Sequence, residues 1–194
     1  MSIELYVARH GETIANTQNR LTGRDTDSPL TEKGIEQALL LGEKLKDIDF
    51  DKIYCSPLKR AIDTANLVFN NQHRICLDNR LAEIGLGIMD GITCDEASKS
   101  YPKSAMLFFT NPSLYIPPSH GEPIKDIIER VSSFVKDIEK QENKTIFVQT
   151  HGYALRVLYS CMLDKSILAI AKSPHYSNCD VVHYTYHLGK WTLD

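Results

Sequence analysis

The chain has no CxxC pair and no even complement of cysteines: Cys55, Cys76, Cys94, Cys161 and Cys179 are five and widely spaced. That excludes a disulfide framework and points to reduced thiols in a cytoplasmic protein. No apolar run reaches the length of a bilayer span, so no membrane partner is expected. The opening residues, MSIELYVARHGET, lack the basic start, apolar stretch and small-residue cleavage site of a signal peptide. Positive charge is not in excess either. The net charge is −3, with 24% charged and 42% hydrophobic residues, which argues against a nucleic-acid partner and against long disorder. No internal repeat or low-complexity tract occurs. The 194 residues are expected to form one domain, 1–194, burying roughly 70% of the chain's surface.

What is present alternates between strand and helix patterns. Ile3–Ala8 is a short apolar segment ending abruptly at Arg9-His10-Gly11 and reads as a strand entering a loop. Thr31–Asp47 reads as a helix capped by Thr31, with Ile35, Ala38, Leu39, Gly42 and Leu45 on one face. Lys52–Cys55 is a second strand. Ser56-Pro57 reads as the N-cap and first position of a helix reaching Asn70, with Arg60 in its first turn. Thr93 and Glu96 have capping-box spacing. Residues 101–121 hold four prolines beside Met106-Leu107-Phe108-Phe109 and are expected as a loop with short helical pieces. The segment about 85–121 is a candidate lid. Ile124, Ile127, Ile128, Val131, Phe134, Val135 and Ile138 repeat at helical spacing. Thr145–Gln149 is a strand that ends at Thr150-His151-Gly152, before an apolar helix to about Met162. Asp180–His187 and Lys190–Leu193 read as a closing hairpin. This order predicts an α/β fold, a three-layer sandwich with a mostly parallel sheet and helices on both faces.

Several strand ends carry chemistry, and in open α/β sheets ligands bind beyond the carboxyl ends of the strands. Arg9 and Arg60 can grip a phosphate through paired guanidinium hydrogen bonds. A neutral His10 is a nitrogen nucleophile able to attack phosphorus. His151, if positively charged, can stabilise the transition-state oxygens. Glu83 is the candidate proton donor to a leaving alkoxide and then the base for water, and Asn16 offers a neutral donor. Each has a plainer reading: a structural histidine, a surface arginine, a solvated loop acid, a glycine serving a tight turn.

These residues sit in motifs that resemble the histidine phosphatase superfamily, in its phosphoglycerate-mutase-like branch. RHGET at 9–13 resembles the RHG signature. The likeness continues, in order, through Asn16, Arg20, Thr22-Gly23, DTDSPLT at 25–31, Gly34, SPLKRAIDTA at 56–65, LAEIGLGIMDG at 81–91, HGEP at 120–123 and THG at 150–152. The resemblance implies a phosphoglycerate-mutase-like fold and a phosphohistidine on His10, with Glu83 as proton donor. It implies a phosphate pocket of Arg9, Arg60 and His151 assisted by Asn16, and a substrate side lined by Thr22, Gly23, Gly152 and Tyr153. The expected partner is a small phosphorylated metabolite, with no cofactor and no metal; a homodimer is left open.

Rival chemistries fit poorly. A cysteine phosphatase needs C-x5-R, whereas Cys55 to Arg60 is C-x4-R. No HExxH occurs, and His183 and His187, four strand residues apart, are separated by about 13 Å. GLGIMDG at 85–91 has the wrong spacing for a dinucleotide fingerprint. A mutase sharing the phosphohistidine is the first alternative. Mutases of this resemblance carry an insertion with an RHYG-like segment after the glutamate region, where this chain has IGLGIMDG, so a phosphatase is expected. A non-catalytic phospholigand binder is the second alternative, but such a protein needs neither His10 nor Glu83.

Overall fold

Ser2–Arg9 forms the first strand, and its side chains divide between two cores. Ile3, Leu5 and Val7 enter one cluster while Ala8, and partly Tyr6, enter another on the opposite face. The computed structural model describes residues 2–71 and 73–194. Its strands are β1 (Ser2–Arg9), β2 (Lys52–Cys55), β3 (Ile75–Leu77), β4 (Lys144–Thr150), β5 (Val181–His187) and β6 (Lys190–Leu193). Its helices are α1 (Ile14–Thr17), α2 (Glu32–Leu45), α3 (Lys59–Val68), α4 (Cys94–Ser100), α5 (Pro102–Thr110), α6 (Ile124–Ile138), α7 (Gly152–Tyr159) and α8 (Ala169–Lys172). The strands form one sheet in the order β3-β2-β4-β1-β5-β6. β3, β2, β4 and β1 run parallel, and the β5–β6 hairpin adds antiparallel to β1. The fold is the expected α/β class with helices on both sheet faces.

Period-two alternation explains the two cores. In β4, Ile146 and Val148 face the cluster that holds α6 and α7, whereas Phe147 faces the cluster that holds α2 and the end of α3. α6 inserts Ile124, Ile127, Val131, Phe134, Val135 and Ile138, and burying each such side chain contributes about 1.5–3 kcal/mol relative to exposure. No helix among the described residues is long and apolar enough to cross a membrane.

The structure departs from the sequence reading in four places. Gly34, Ala38, Leu41 and Leu45 form the buried face of α2, while Ile35 and Leu39 are exposed. The cause is a backbone contact: a Cβ on Gly34 would lie 2.1 Å from the Glu12 carbonyl oxygen, so the helix is rolled to set its glycine against the 10–12 loop. α3 begins at Lys59 with Leu58 as N-cap, while the Ser56 hydroxyl accepts from the Leu58 N–H at 3.3 Å and lies 2.6 Å from His151 Nε2. Pro102–Thr110 is a regular helix, since Pro102 sits at its tolerated first turn and the next proline, Pro112, lies beyond its end. The three-residue β3 carries too little pattern to be anticipated. The Thr31 cap and the Thr93–Glu96 capping box are both formed.

Candidate active site

The register of the central strands builds the site. Arg9 pairs with Thr150 across β1 and β4, so His10 and His151 leave adjacent parallel strands at the same sheet end. Their ring centroids are 5.2 Å apart. His10 is fixed through its main chain, its N–H donating to the Thr150 carbonyl and its carbonyl accepting from Asn178 Nδ2 at 2.9 Å. The next N–H, of Gly11, donates to Thr64 Oγ1 at 3.0 Å. Gly11 is also required for space, because a Cβ there would stand 2.6 Å from the Gly34 carbonyl oxygen.

The imidazole of His10 has a defined tautomer. Nδ1 lies 2.8 Å from the Gly11 carbonyl oxygen, and a carbonyl only accepts, so Nδ1 carries the hydrogen and Nε2 keeps a free lone pair. Burial, then the Arg60 and Arg9 charges, hold this imidazole well below its usual range of about 6.5. The ring is neutral and nucleophilic at neutral pH. His151 is fully buried and held low in the same way by burial, Arg60, His10 and Arg9. The positive charge expected of it is thus disfavoured, since burial and the guanidinium groups of Arg60, Arg9 and Arg130 all oppose it. Its Nε2 lies 2.6 Å from Ser56 Oγ, while Nδ1 is buried without a protein partner.

Arg60 is 1% exposed. Its NH2 donates to the Gly23 carbonyl at 2.8 Å, and its NH1 to Thr26 O and Asp27 Oδ1, each at 3.1 Å. Gly23 therefore anchors the arginine and does not line the cavity as expected; its own N–H is held by Asp90. Arg9 donates through NH1 to the Tyr176 carbonyl, and its Nε is buried without a partner. Unpartnered nitrogens on Arg9, Arg60 and His151 in one place are what an oxyanion would satisfy. Asn16 accepts at Oδ1 from Thr13 N and Asn178 Nδ2, which turns its own NH2 toward a ligand.

Arg9, His10, Asn16, Thr22, Glu83, Gly152 and Tyr153 line one cavity of about 700 Å³, with Arg60 and His151 packed behind it. Glu83 is buried, and its carboxylate accepts from the N–H groups of Ile84 (2.9 Å), Tyr153 (3.0 Å) and Ala154 (3.1 Å), so it closes the open N-terminus of α7. The loop that carries it is held by Arg130. NH1 donates to the carbonyls of Arg80 and Ala82, NH2 to that of Glu83, and Nε and NH2 to Glu122. Glu122 also binds Gly85 N and Arg24, and Arg130 first, then these two, hold its carboxyl below the ordinary carboxylate range despite burial.

Asn178, Arg130 and Tyr176 were not singled out from the sequence, and only Glu122 fell inside a quoted motif. Cys55 is buried, its thiol pushed up to about 12, which fits a packing role and no nucleophilic one. Among the described residues one three-member group with metal-ligand spacing occurs, Glu4, His183 and Asp194. Glu4 lies six residues before His10 on β1, about 20 Å along the strand from it, so this group belongs to the opposite end of the sheet.

A sheet-end pocket with the buried Arg60, the half-buried Arg9, two adjacent imidazoles and a helix-capping glutamate gives this α/β protein a donor set that suits an oxyanion. The chain belongs to the histidine phosphatase superfamily (branch 1), whose family model matches residues 5–194. It is 33% identical over 160 residues to phosphoglycerate mutase-like protein 4 of Arabidopsis thaliana, covering 80% of this chain and 69% of that protein. It is 29% identical to phosphoserine phosphatase 1 of Hydrogenobacter thermophilus, covering 83% and 76%. Among solved structures, YhfR of Bacillus stearothermophilus superposes with a TM-score of 0.89 at 34% identity, covering 98% of this chain and 95% of that one.

Proposed function

We propose that the protein is a metal-independent phosphatase that hydrolyses a phosphomonoester through a phosphohistidine on His10. The observation that carries the reading is the His10 tautomer: the Gly11 carbonyl occupies Nδ1 and leaves the Nε2 lone pair free in a pocket with two arginines. In the first step Nε2 attacks phosphorus, the P–O ester bond breaks, and the departing oxygen takes a proton from Glu83. Arg9, Arg60, Asn16 and the Nδ1 of His151 hold the phosphoryl oxygens, and a bound phosphate dianion favours protonation of His151. In the second step a water gives its proton to Glu83, its oxygen bonds to phosphorus, the N–P bond breaks, and inorganic phosphate leaves.

Relatives named as mutases and as phosphatases both match this chain. The short IGLGIMDG run after Glu83, in place of an RHYG-like insertion, supports hydrolysis over transfer to a second acceptor. The test is to mix the protein with a phosphomonoester in EDTA, stop the reaction in alkali where the N–P bond survives, and map the phosphorylated peptide. Expected are a label on His10, steady phosphate release, and loss of both in His10→Ala. Phosphate release undiminished in His10→Ala would refute the proposal, and a label passed to an added alcohol in preference to water would make the enzyme a mutase.

A further inference from the structure

We propose that the phosphomonoester carries an extended apolar body, alkyl or aryl, lying in a groove that leads from the His10 pocket past Phe109; this rests on the phosphatase reading above. The cavity over His10, about 700 Å³, falls in the range of sites that enclose ligands of drug size, roughly 300–1,000 Å³. A phosphate on a two- or three-carbon body leaves most of it empty. Leu21, Ile84, Leu86, Phe108 and Phe109 contribute apolar wall beside polar lining that includes Arg20 and Arg156.

That wall is stiff where it meets the chemistry. The Phe108 ring stacks on Tyr153 with centroids 4.3 Å apart and planes at 16°, and it packs against Tyr115 at 5.3 Å. Part of the Met106–Phe109 run thus belongs to the core, with Leu107 and Phe108 buried. Its other members face outward, with Phe109 47% and Met106 57% exposed.

Those two exposed side chains border a second hollow of about 320 Å³ between α4 and α5. Leu21, Cys94 and Phe109 line both spaces, so the hollow adjoins the His10 cavity. Its further lining includes Ala97, Pro102, Ala105 and Met106, and among the described residues none that lines it is charged. A sugar or amino-acid body laid there would give up hydrogen bonds to water with few replacements, which is costly. A hydrocarbon body loses nothing and covers Phe109 and Met106.

Non-hydrolysable n-alkylphosphonates of two to eight carbons, titrated calorimetrically into the intact protein, read the groove without turnover. The dissociation constant is expected to fall by about two- to fourfold per methylene until the groove is filled. This dependence is expected to shrink in Phe109→Ser and in Met106→Ser. A constant that does not change with chain length, or a slope in both variants unchanged from wild type, overturns the inference. So does a flat series in which Phe109→Ser instead weakens self-association, since the groove is then a contact between copies. A normal chain-length dependence with no phosphoenzyme from any phosphomonoester leaves the groove standing and refutes the phosphatase reading. No binding of any phosphonate refutes both.

Discussion

Replacing Arg130 by lysine tests whether the loop geometry around Glu83 governs its proton transfer. The guanidinium makes five hydrogen bonds, three to the carbonyls of Arg80, Ala82 and Glu83 and two to Glu122. An ammonium has three donors radiating from one point and cannot span both the carbonyl row and the carboxylate. At least two of the charged guanidinium's bonds to the carbonyls are lost in a part-buried place, a cost of about 3–6 kcal/mol in stability. Because the lost partners are the carbonyls that flank and include Glu83, its carboxyl drifts relative to the His10 pocket. A shift of about 1 Å at a reacting group costs on the order of 100-fold, and general acid catalysis is worth about 10²–10⁴. For Arg130→Lys, kcat on an alkyl phosphate is therefore expected to fall about 10- to 100-fold. On an aryl phosphate, whose leaving group needs no proton, the loss is expected to stay under about threefold. Steady-state rates across leaving groups of graded basicity, with urea melts to confirm folding, make the measurement. Equal losses on alkyl and aryl substrates would show that Arg130 supports the fold alone and refute the reasoning.

Three further outcomes can be checked. His10 and His151 are buried neutral with depressed affinity for protons, so below about pH 6.5 the unfolded chain binds protons there that the folded chain does not. Stability then falls as pH falls, by up to about 2.7 kcal/mol per pH unit for the pair, and urea melts of His10→Asn should show a shallower slope between pH 6.5 and 5; an unchanged slope contradicts the assignment. By the same sign, His10 stays nucleophilic in mild acid, so the acid limb of kcat/KM is expected below pH 6.5, and a limb above that value counts against it. Gly34→Ala places a methyl 2.1 Å from the Glu12 carbonyl oxygen, so a loss of about 1–3 kcal/mol with reduced phosphoenzyme formation is expected; wild-type melting and labelling would show that α2 and the His10 loop can separate freely.

Much of this was written in local pattern. β1, β2 and α6 follow from hydrophobic spacing, and the Thr31 and Thr93 caps follow from residue type at the helix start. The convergence of Arg9, His10, Glu83 and Tyr153 on one cavity follows from strands of one polarity that end together. What stayed hidden depends on distant partners. The roll of α2 is set by a main-chain contact to Glu12, Ser56 meets a histidine 95 residues away, and Arg130 reaches back about 50 residues to the Glu83 loop. Asn178 binds the His10 carbonyl across 168 residues, a distance at which an isolated asparagine carries no mark of its role.

The placement of His10 and His151 at the ends of hydrogen-bonded neighbours has a consequence for how such a protein can change over time. Their separation is inherited from the main-chain lattice of the sheet, whose strand spacing of about 4.8 Å is the same for every sequence. Side chains such as Asn178 and Thr64 refine the position of His10, but the two imidazoles are brought within reach by the main chain. The α4–α5 segment, by contrast, hangs on the rim and contributes side chains alone. New cargo can be tried there, one substitution at a time, while the reactive centre is left untouched.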